Sequence, residues 1–309
     1  MRILMVGAGG VGGYFGGRLA AAGQDVTFIA RGRHLAAMKS DGLRIESPKG
    51  DAHIQPVTAH ESAQGLDAMD TVFIAVKIGD TGGAIEACRD AVGPETVVIS
   101  LQNGLAADDM LIEAFGAERV AGGVAYIASA VDRPGVIRHI GDNQRIQVGE
   151  LPRGVSPRIE AIAGVLAAAG IDAEAVPDIT RAMWEKFIFL VGLSGVTALT
   201  GQSIGVIRAD PDMRGLLQAA MAETAAVARA RGIDFPDAYA DGRLAFADTL
   251  PEDMRSSMHH DLEAGKPLEL DWLAGAVVRM GKEAGVATPV NAAIYAGLKP
   301  RRHGTDAPS

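Results

Sequence analysis

The chain has 309 residues, 48% of them apolar and 22% charged, and a formal net charge of −9. That length and composition describe a globular protein of two domains, or one large one, with a substantial core. The acidic balance gives no support for binding nucleic acid or an anionic membrane surface, and a single cysteine, Cys88, excludes an intrachain disulfide. One thiol is compatible with a reducing cytoplasm, which is the expected location. The sequence opens directly on a strand pattern, so no signal peptide is expected. The most apolar stretch, 187–199, is too short to span a bilayer, so no membrane association is expected.

The first element is the apolar run Ile3-Leu4-Met5-Val6, read as a buried parallel strand. Gly7-Ala8-Gly9-Gly10-Val11-Gly12 follows and opens a small-residue helix over 11–22. A Gly-x-Gly-x-x-Gly turn between a strand and a helix is the dinucleotide-binding fingerprint in its required context. Gly7 permits the tight turn, Gly9 lets the backbone approach a pyrophosphate, and Gly12 lets the helix pack close to the sheet. The helix N-terminus then offers unpaired N–H groups to the phosphates.

Further strands are expected at 25–30, 71–76 and 96–100, with helices over 33–40, 80–92 and 105–115. Cys88 reads as a buried residue of the second of these. This alternation implies a parallel sheet with helices on both faces. Segments 43–46 and 53–57, joined by Ser47-Pro48-Lys49-Gly50, read as a β-hairpin insertion. Strands at 120–131, 135–140 and 145–148 extend the sheet in partly antiparallel fashion, and a helix starts at Ser156-Pro157 and runs to 169. Beyond Pro177 the pattern becomes helical throughout: 179–200, 213–231, 239–248, 256–264, 271–284 and 292–298. The expected organisation is therefore α/β: a Rossmann-type dinucleotide-binding domain over 1–176, an all-helical domain over 177–299, and a disordered tail over 300–309. In such proteins ligands sit at the interdomain cleft and beyond the carboxyl ends of the strands.

The end of the second strand selects the cofactor. NAD-binding proteins place Asp or Glu there to accept from the ribose 2′-hydroxyl. This strand ends Ala30-Arg31-Gly32-Arg33-His34, with two guanidinium groups and no acid. Arg suits a 2′-phosphate through charge and fork geometry, so the cofactor is read as NADPH, with a flavin dinucleotide as the alternative.

Two loops lie at the carboxyl edge of the expected sheet, one with Val76-Lys77 and one with Gln102-Asn103-Gly104. In the helical half, Lys186 lies within Trp184-Glu185-Lys186-Phe187, against an apolar run, where a Lys head must reach a partner or a cleft. Taken singly, Lys77 could be a surface residue, Lys186 could snorkel, Ser257 could cap a helix, and Glu269 with Asp271 could be a helix N-terminal charge pair. His259 and His260 read as exposed helix residues; no other His stands at metal-ligand spacing, and no metal is expected.

Together these pieces resemble the ketopantoate reductase family. The glycine turn, the arginine after the second strand, Val76-Lys77, Gln102-Asn103-Gly104, Trp184 with Lys186, Ser256-Ser257-Met258 with Asp261, and Glu269 with Asp271 all match in order over 1–299. The resemblance implies NADPH-dependent reduction of 2-dehydropantoate to pantoate, on the route to pantothenate. By position it makes Lys186 the general acid and Glu269 the residue that positions it and accepts from substrate hydroxyls. It gives Ser257 the substrate carboxylate, Asn103 the nicotinamide and the substrate, and Lys77 the cofactor site. The family commonly carries Asn four and eight residues after the lysine, where this chain has Leu190 and Ser194, two further candidates for substrate contact. Another 2-oxo acid or related carbonyl compound therefore stays open as substrate. A non-catalytic NADPH-binding regulator is the alternative of another class. The expected partner is a small 2-oxo acid, with homodimerisation left open.

Overall fold

A computed structural model of the protein describes residues 1–305. It divides into two compact units, Met1–Met183 and the chain from Trp184 onward. The division falls inside the first long helix of the second half rather than at 176/177, just before it.

The first unit runs β1 (Arg2–Val6), α1 (Gly10–Ala21), β2 (Asp25–Ile29), α2 (Gly32–Asp41), β3 (Leu43–Glu46), β4 (Ala52–Ile54), β5 (Thr58–His60), β6 (Thr71–Ile74), α3 (Thr81–Cys88), β7 (Val97–Ser100), α4 (Ala106–Phe115), β8 (Val120–Arg133), β9 (Val136–Glu150), α5 (Pro157–Ala168) and β10 (Asp172–Ala175). Its sheet has the order β4-β3-β9-β8-β7-β6-β1-β2-β5, with β10 also pairing β9. The pairs from β5 through β8 are all parallel, while β8 and β9 form a long antiparallel hairpin with register shifts.

The period of two decides which side chain faces which layer. Ile3 and Met5 enter the core beneath α1, α2 and α5, and Leu4 and Val6 enter the one beneath α3 and α4. Phe73 and Ile99 join the first core, Val72, Ile74 and Val98 the second. Residues buried on both sides make these central strands continuous apolar runs, which is why they are readable. Cys88 lies buried in α3, and burial pushes its thiol up to about 12.

Several local readings change. The strand expected over 71–76 ends at Ile74, so Val76 and Lys77 lie in the loop beyond it. The two strands expected at 135–140 and 145–148 are one continuous β9. Strands β5 and β10 are additional to the expected elements.

Asp108, in the first turn of α4, is buried at 7% exposure, and its Oδ2 has no hydrogen-bond partner among the described residues. Burial, with a smaller contribution from the charge of Asp109, pushes its carboxyl up to about 7. The folded protein therefore holds this proton more tightly than the unfolded chain does. Its contribution to stability is present below the ordinary aspartate range and is lost as pH rises to about 7. The full gap corresponds to about 4 kcal/mol at most. Asp108→Asn should accordingly raise the thermal midpoint at pH 8 and leave it nearly unchanged near pH 4. An equal shift at both values would show that ionisation of Asp108 is not the cause.

The second unit is helical: α6 (Ile179–Thr200, which begins in the first unit), α7 (Ile204–Ala209), α8 (Pro211–Ala230), α9 (Tyr239–Ala247), α10 (Ser257–Glu263), α11 (Ala274–Ala284) and α12 (Pro289–Leu298). A 3₁₀ turn, Glu269–Trp272, precedes α11. Helix α8 starts earlier than expected because Asp210 caps it, its side chain accepting from the N–H groups of Asp212 and Met213 with Pro211 in the first turn. Glycines let α6 approach its neighbours: a Cβ at Gly192 would stand 2.6 Å from Met221 of α8, and one at Gly195 3.0 Å from Ile294 of α12. By length and composition α6 could cross a membrane, but 67% of its apolar window is buried inside the protein, as befits a core helix.

The segment 300–305 is not a disordered tail. A 3₁₀ turn at Lys299–Arg301 leads into backbone hydrogen bonds with the loop before Glu269. Residues 306–309 of the expected tail lie outside the described residues.

Candidate active site

The glycine turn has the geometry that its spacing predicts. Gly7 has φ +96°, and its N–H donates to the Ile29 carbonyl at 2.9 Å. A Cβ at Gly7 would stand 2.7 Å from Val76, and one at Gly12 2.0 Å from the Gly7 oxygen, so neither position admits a side chain. Gly10 is equally confined, 2.2 Å from the Ser129 oxygen. Gly9 differs: a Cβ there would meet nothing within 4 Å. The backbone is thus open at the middle glycine of the turn. Ala8 is buried beside it, and Val11 is half-buried in the first turn of α1. Helix α1 has no side-chain cap and no acid in its first turn, so its N-terminal N–H groups and partial positive charge are available to an anion.

Arg31 is the N-cap residue of α2 and is exposed, as is Arg33. Neither side chain makes a hydrogen bond or ion pair among the described residues, and the Arg31 guanidinium lies 3.5 Å from where a Cβ at Gly83 of α3 would stand. His34 is half-buried. Its Nδ1 accepts from the Gly135 N–H at 3.1 Å, and burial lowers its pKa despite an opposing interaction with the Ala8 backbone.

Lys77 is exposed and precedes a 3₁₀ turn at Ile78–Asp80. Gln102 ties that loop to the one after β7. Its Nε2 donates to the Val76 carbonyl at 3.1 Å and to Thr81 Oγ1 at 2.9 Å. The next residue, Asn103, is half-buried, and Gly104 turns the chain with φ +95°. The Gln102 side-chain amide thus fixes the two loops to each other.

In the second unit, Lys186 is half-buried on α6. Burial lowers the pKa of its ammonium to about 8, and the Glu269 carboxylate opposes that fall. Glu269 itself is only 7% exposed, in the 3₁₀ turn. Leu190 and Ser194 follow Lys186 at successive four-residue steps and so share its face of the helix. Leu190 is half-buried; Ser194 is buried, and its Oγ has no hydrogen-bond partner among the described residues.

The same stripe continues to Thr197, whose Oγ1 lies 2.7 Å from Ser256 Oγ at the start of α10. Ser256, not Ser257, caps that helix, accepting from the His259 N–H at 3.1 Å. Ser257 is left exposed in the first turn. His259 corrects the sequence reading: it is 1% exposed, with Nδ1 2.7 Å from the Thr197 carbonyl and Nε2 3.1 Å from Glu263. His260 is exposed as expected.

A glycine-turn sheet unit followed by a helical unit with a half-buried lysine and a buried carboxylate defines the class of two-domain oxidoreductases. Residues 3–153 match the family described as Ketopantoate reductase PanE/ApbA, and residues 178–302 match Ketopantoate reductase PanE/ApbA C terminal. The chain belongs to the ketopantoate reductase family. It is 35% identical to the uncharacterized oxidoreductase YkpB of Bacillus subtilis, over 97% of this chain and 98% of that one. It is 33% identical to a 2-dehydropantoate 2-reductase of Mesorhizobium japonicum, over 96% of each. The crystal structure of 2-dehydropantoate 2-reductase from Geobacter metallireducens is similar at a TM-score of 0.91 and 35% identity, covering 97% of this chain and 99% of that chain.

Proposed function

We propose that the protein is an NADPH-dependent reductase of a 2-oxo acid, with 2-dehydropantoate as the leading substrate and pantoate as its product. One observation carries this reading: a half-buried lysine, opposed to a buried glutamate, holds a proton near neutral pH. Such a group supplies both a positive charge and a proton to a developing alkoxide.

When bound, NADPH supplies the hydride. The turn from Gly7 to Gly12 and the start of α1 would hold its pyrophosphate, Arg31 its 2′-phosphate, and Lys77 and Asn103 the rest of the cofactor site. Lys186 polarises the C2 ketone and donates its proton to the oxygen. Glu269 keeps that ammonium in place and accepts from substrate hydroxyls. Ser257 hydrogen-bonds the substrate carboxylate, and Ser194 offers its unpartnered hydroxyl to the substrate. Leu190 supplies an apolar wall, which favours a second reading in which the substrate is a simpler 2-oxo acid.

The deciding experiment is NADPH oxidation measured against ketopantoate and several other 2-oxo acids. Binding of NADPH without turnover of any of them would favour a non-catalytic regulator instead. The cofactor assignment has its own test. Arg31→Ala removes one charge-assisted contact, of about 1.5–3 kcal/mol, so NADPH should bind roughly 10- to 100-fold more weakly while NADH is little affected. Equal loss for both cofactors would remove Arg31 from the 2′-phosphate site.

A further inference from the structure

The 3₁₀ turn that carries Glu269 is held from both sides by the end of the chain. Upstream of it, the Leu268 N–H donates to the Arg302 carbonyl at 2.9 Å, and the Thr305 N–H donates to the Gly265 carbonyl at 3.0 Å. This approach is close. Gly304 has φ +80°, and a Cβ there would stand 2.4 Å from the Gly265 oxygen. Within the turn, Asp271 accepts from the Tyr295 hydroxyl of α12 at 2.7 Å, and its other oxygen lies 3.8 Å from Arg302 Nε. The Tyr295 ring packs on α11, where a Cβ at Gly275 would stand 2.9 Å from it. Arg279 of α11 also acts on the phenol, and Lys299 lies 5.7 Å from the ring centroid. Hydrogen bonding to Asp271, then burial, raises the Tyr295 pKa, so the hydroxyl stays a donor.

We propose that Tyr295, Asp271 and the 302–305 segment form a clamp that positions the Glu269 carboxylate against the Lys186 ammonium. The proposal rests on the reading of Lys186 as proton donor, and its residues are positioning residues that act through Glu269. A single residue of the 3₁₀ turn, Leu270, separates Glu269 from Asp271, so freedom at Asp271 becomes displacement at Glu269. The Glu269 charge is what keeps Lys186 protonated against burial, and a looser carboxylate supports it less.

The test is titration of the Lys186 ammonium by ¹⁵N NMR in protein labelled at lysine, assigned by Lys186→Arg, together with steady-state kinetics. Tyr295→Phe keeps the ring and removes one hydroxyl, and Gly304→Ala disturbs the other flank. Tyr295→Phe should move the Lys186 midpoint down by about half a pH unit or more. It should lower kcat about tenfold with the KM for NADPH unchanged. An unmoved Lys186 midpoint in both folded variants would overturn the clamp, whatever happens to thermal stability. A lowered midpoint in a protein whose wild type reduces no 2-oxo acid would uphold the clamp and reject the reductase reading.

Discussion

Lys186→Ala should fold, bind NADPH and lose roughly 10²- to 10⁴-fold in kcat, the usual scale for a positioned general acid. Two opposing effects set the state of this lysine. Burial disfavours the ammonium, and the Glu269 carboxylate favours it, leaving the pKa at about 8. The acid must carry its proton to act, so kcat/KM should hold below that value and fall as pH rises through it. The variant should lack this alkaline limb as well as most of the rate. Truncation also leaves Glu269 buried without its ammonium, and burying an unpaired charge is costly. Circular dichroism and NADPH affinity therefore belong beside the kinetics, so that loss of fold is not read as loss of the acid. A kcat near the wild-type value, or an alkaline limb that survives the substitution, would remove Lys186 from the mechanism.

The parts of this protein that were legible in its sequence are those where one strong local rule acts alone. The central strands are buried on both faces and filled mostly by apolar residues, with only small polar ones such as Thr27, Thr71 and Ser100 among them, so their runs announce themselves. The glycine turn combines a positive φ at Gly7 with a helix–turn contact at Gly12 that excludes any Cβ. What was not legible depends on partners distant in sequence. Strand β10, Asp172-Ala173-Glu174-Ala175, has weak strand propensity and is a strand because β9 pairs with it. Strand β5 is three residues long, with only Ala59 buried. The Asn143 and Gln144 region of β9 reads as a turn, yet the long antiparallel partnership with β8 carries the strand through it with a register shift. His259 sits on a short polar helix whose neighbours suggest solvent, and only the approach of Thr197 from α6 buries it. The end of the chain is polar with Pro and Gly, the usual composition of a tail. Its backbone groups instead pair with the loop before Glu269, which no periodicity could announce.

Leu190→Asn should raise kcat/KM for ketopantoate relative to simpler 2-oxo acids that lack its terminal hydroxyl. Leu190 stands one turn beyond Lys186 on the same helix face and is half-buried, whereas the core positions of α6 such as Val191 and Val196 are fully buried. On the proposed reading, a side chain there meets the substrate or the wall beside it. Leucine can offer a substrate hydroxyl nothing, and a buried hydroxyl left unpaired costs about 1–3 kcal/mol, up to a hundredfold or so in affinity. Asparagine supplies both a donor and an acceptor on a side chain with the same branching at Cγ. Ser194, one turn further on, already holds a buried hydroxyl that no described residue satisfies, so an added amide joins a polar stripe. The competing expectation is that Leu190 serves packing alone. In that case asparagine lowers the thermal midpoint and leaves the ratio of substrates unchanged. Measuring the midpoint and the ketopantoate preference on the same variant separates the two, because only contact with substrate moves the preference.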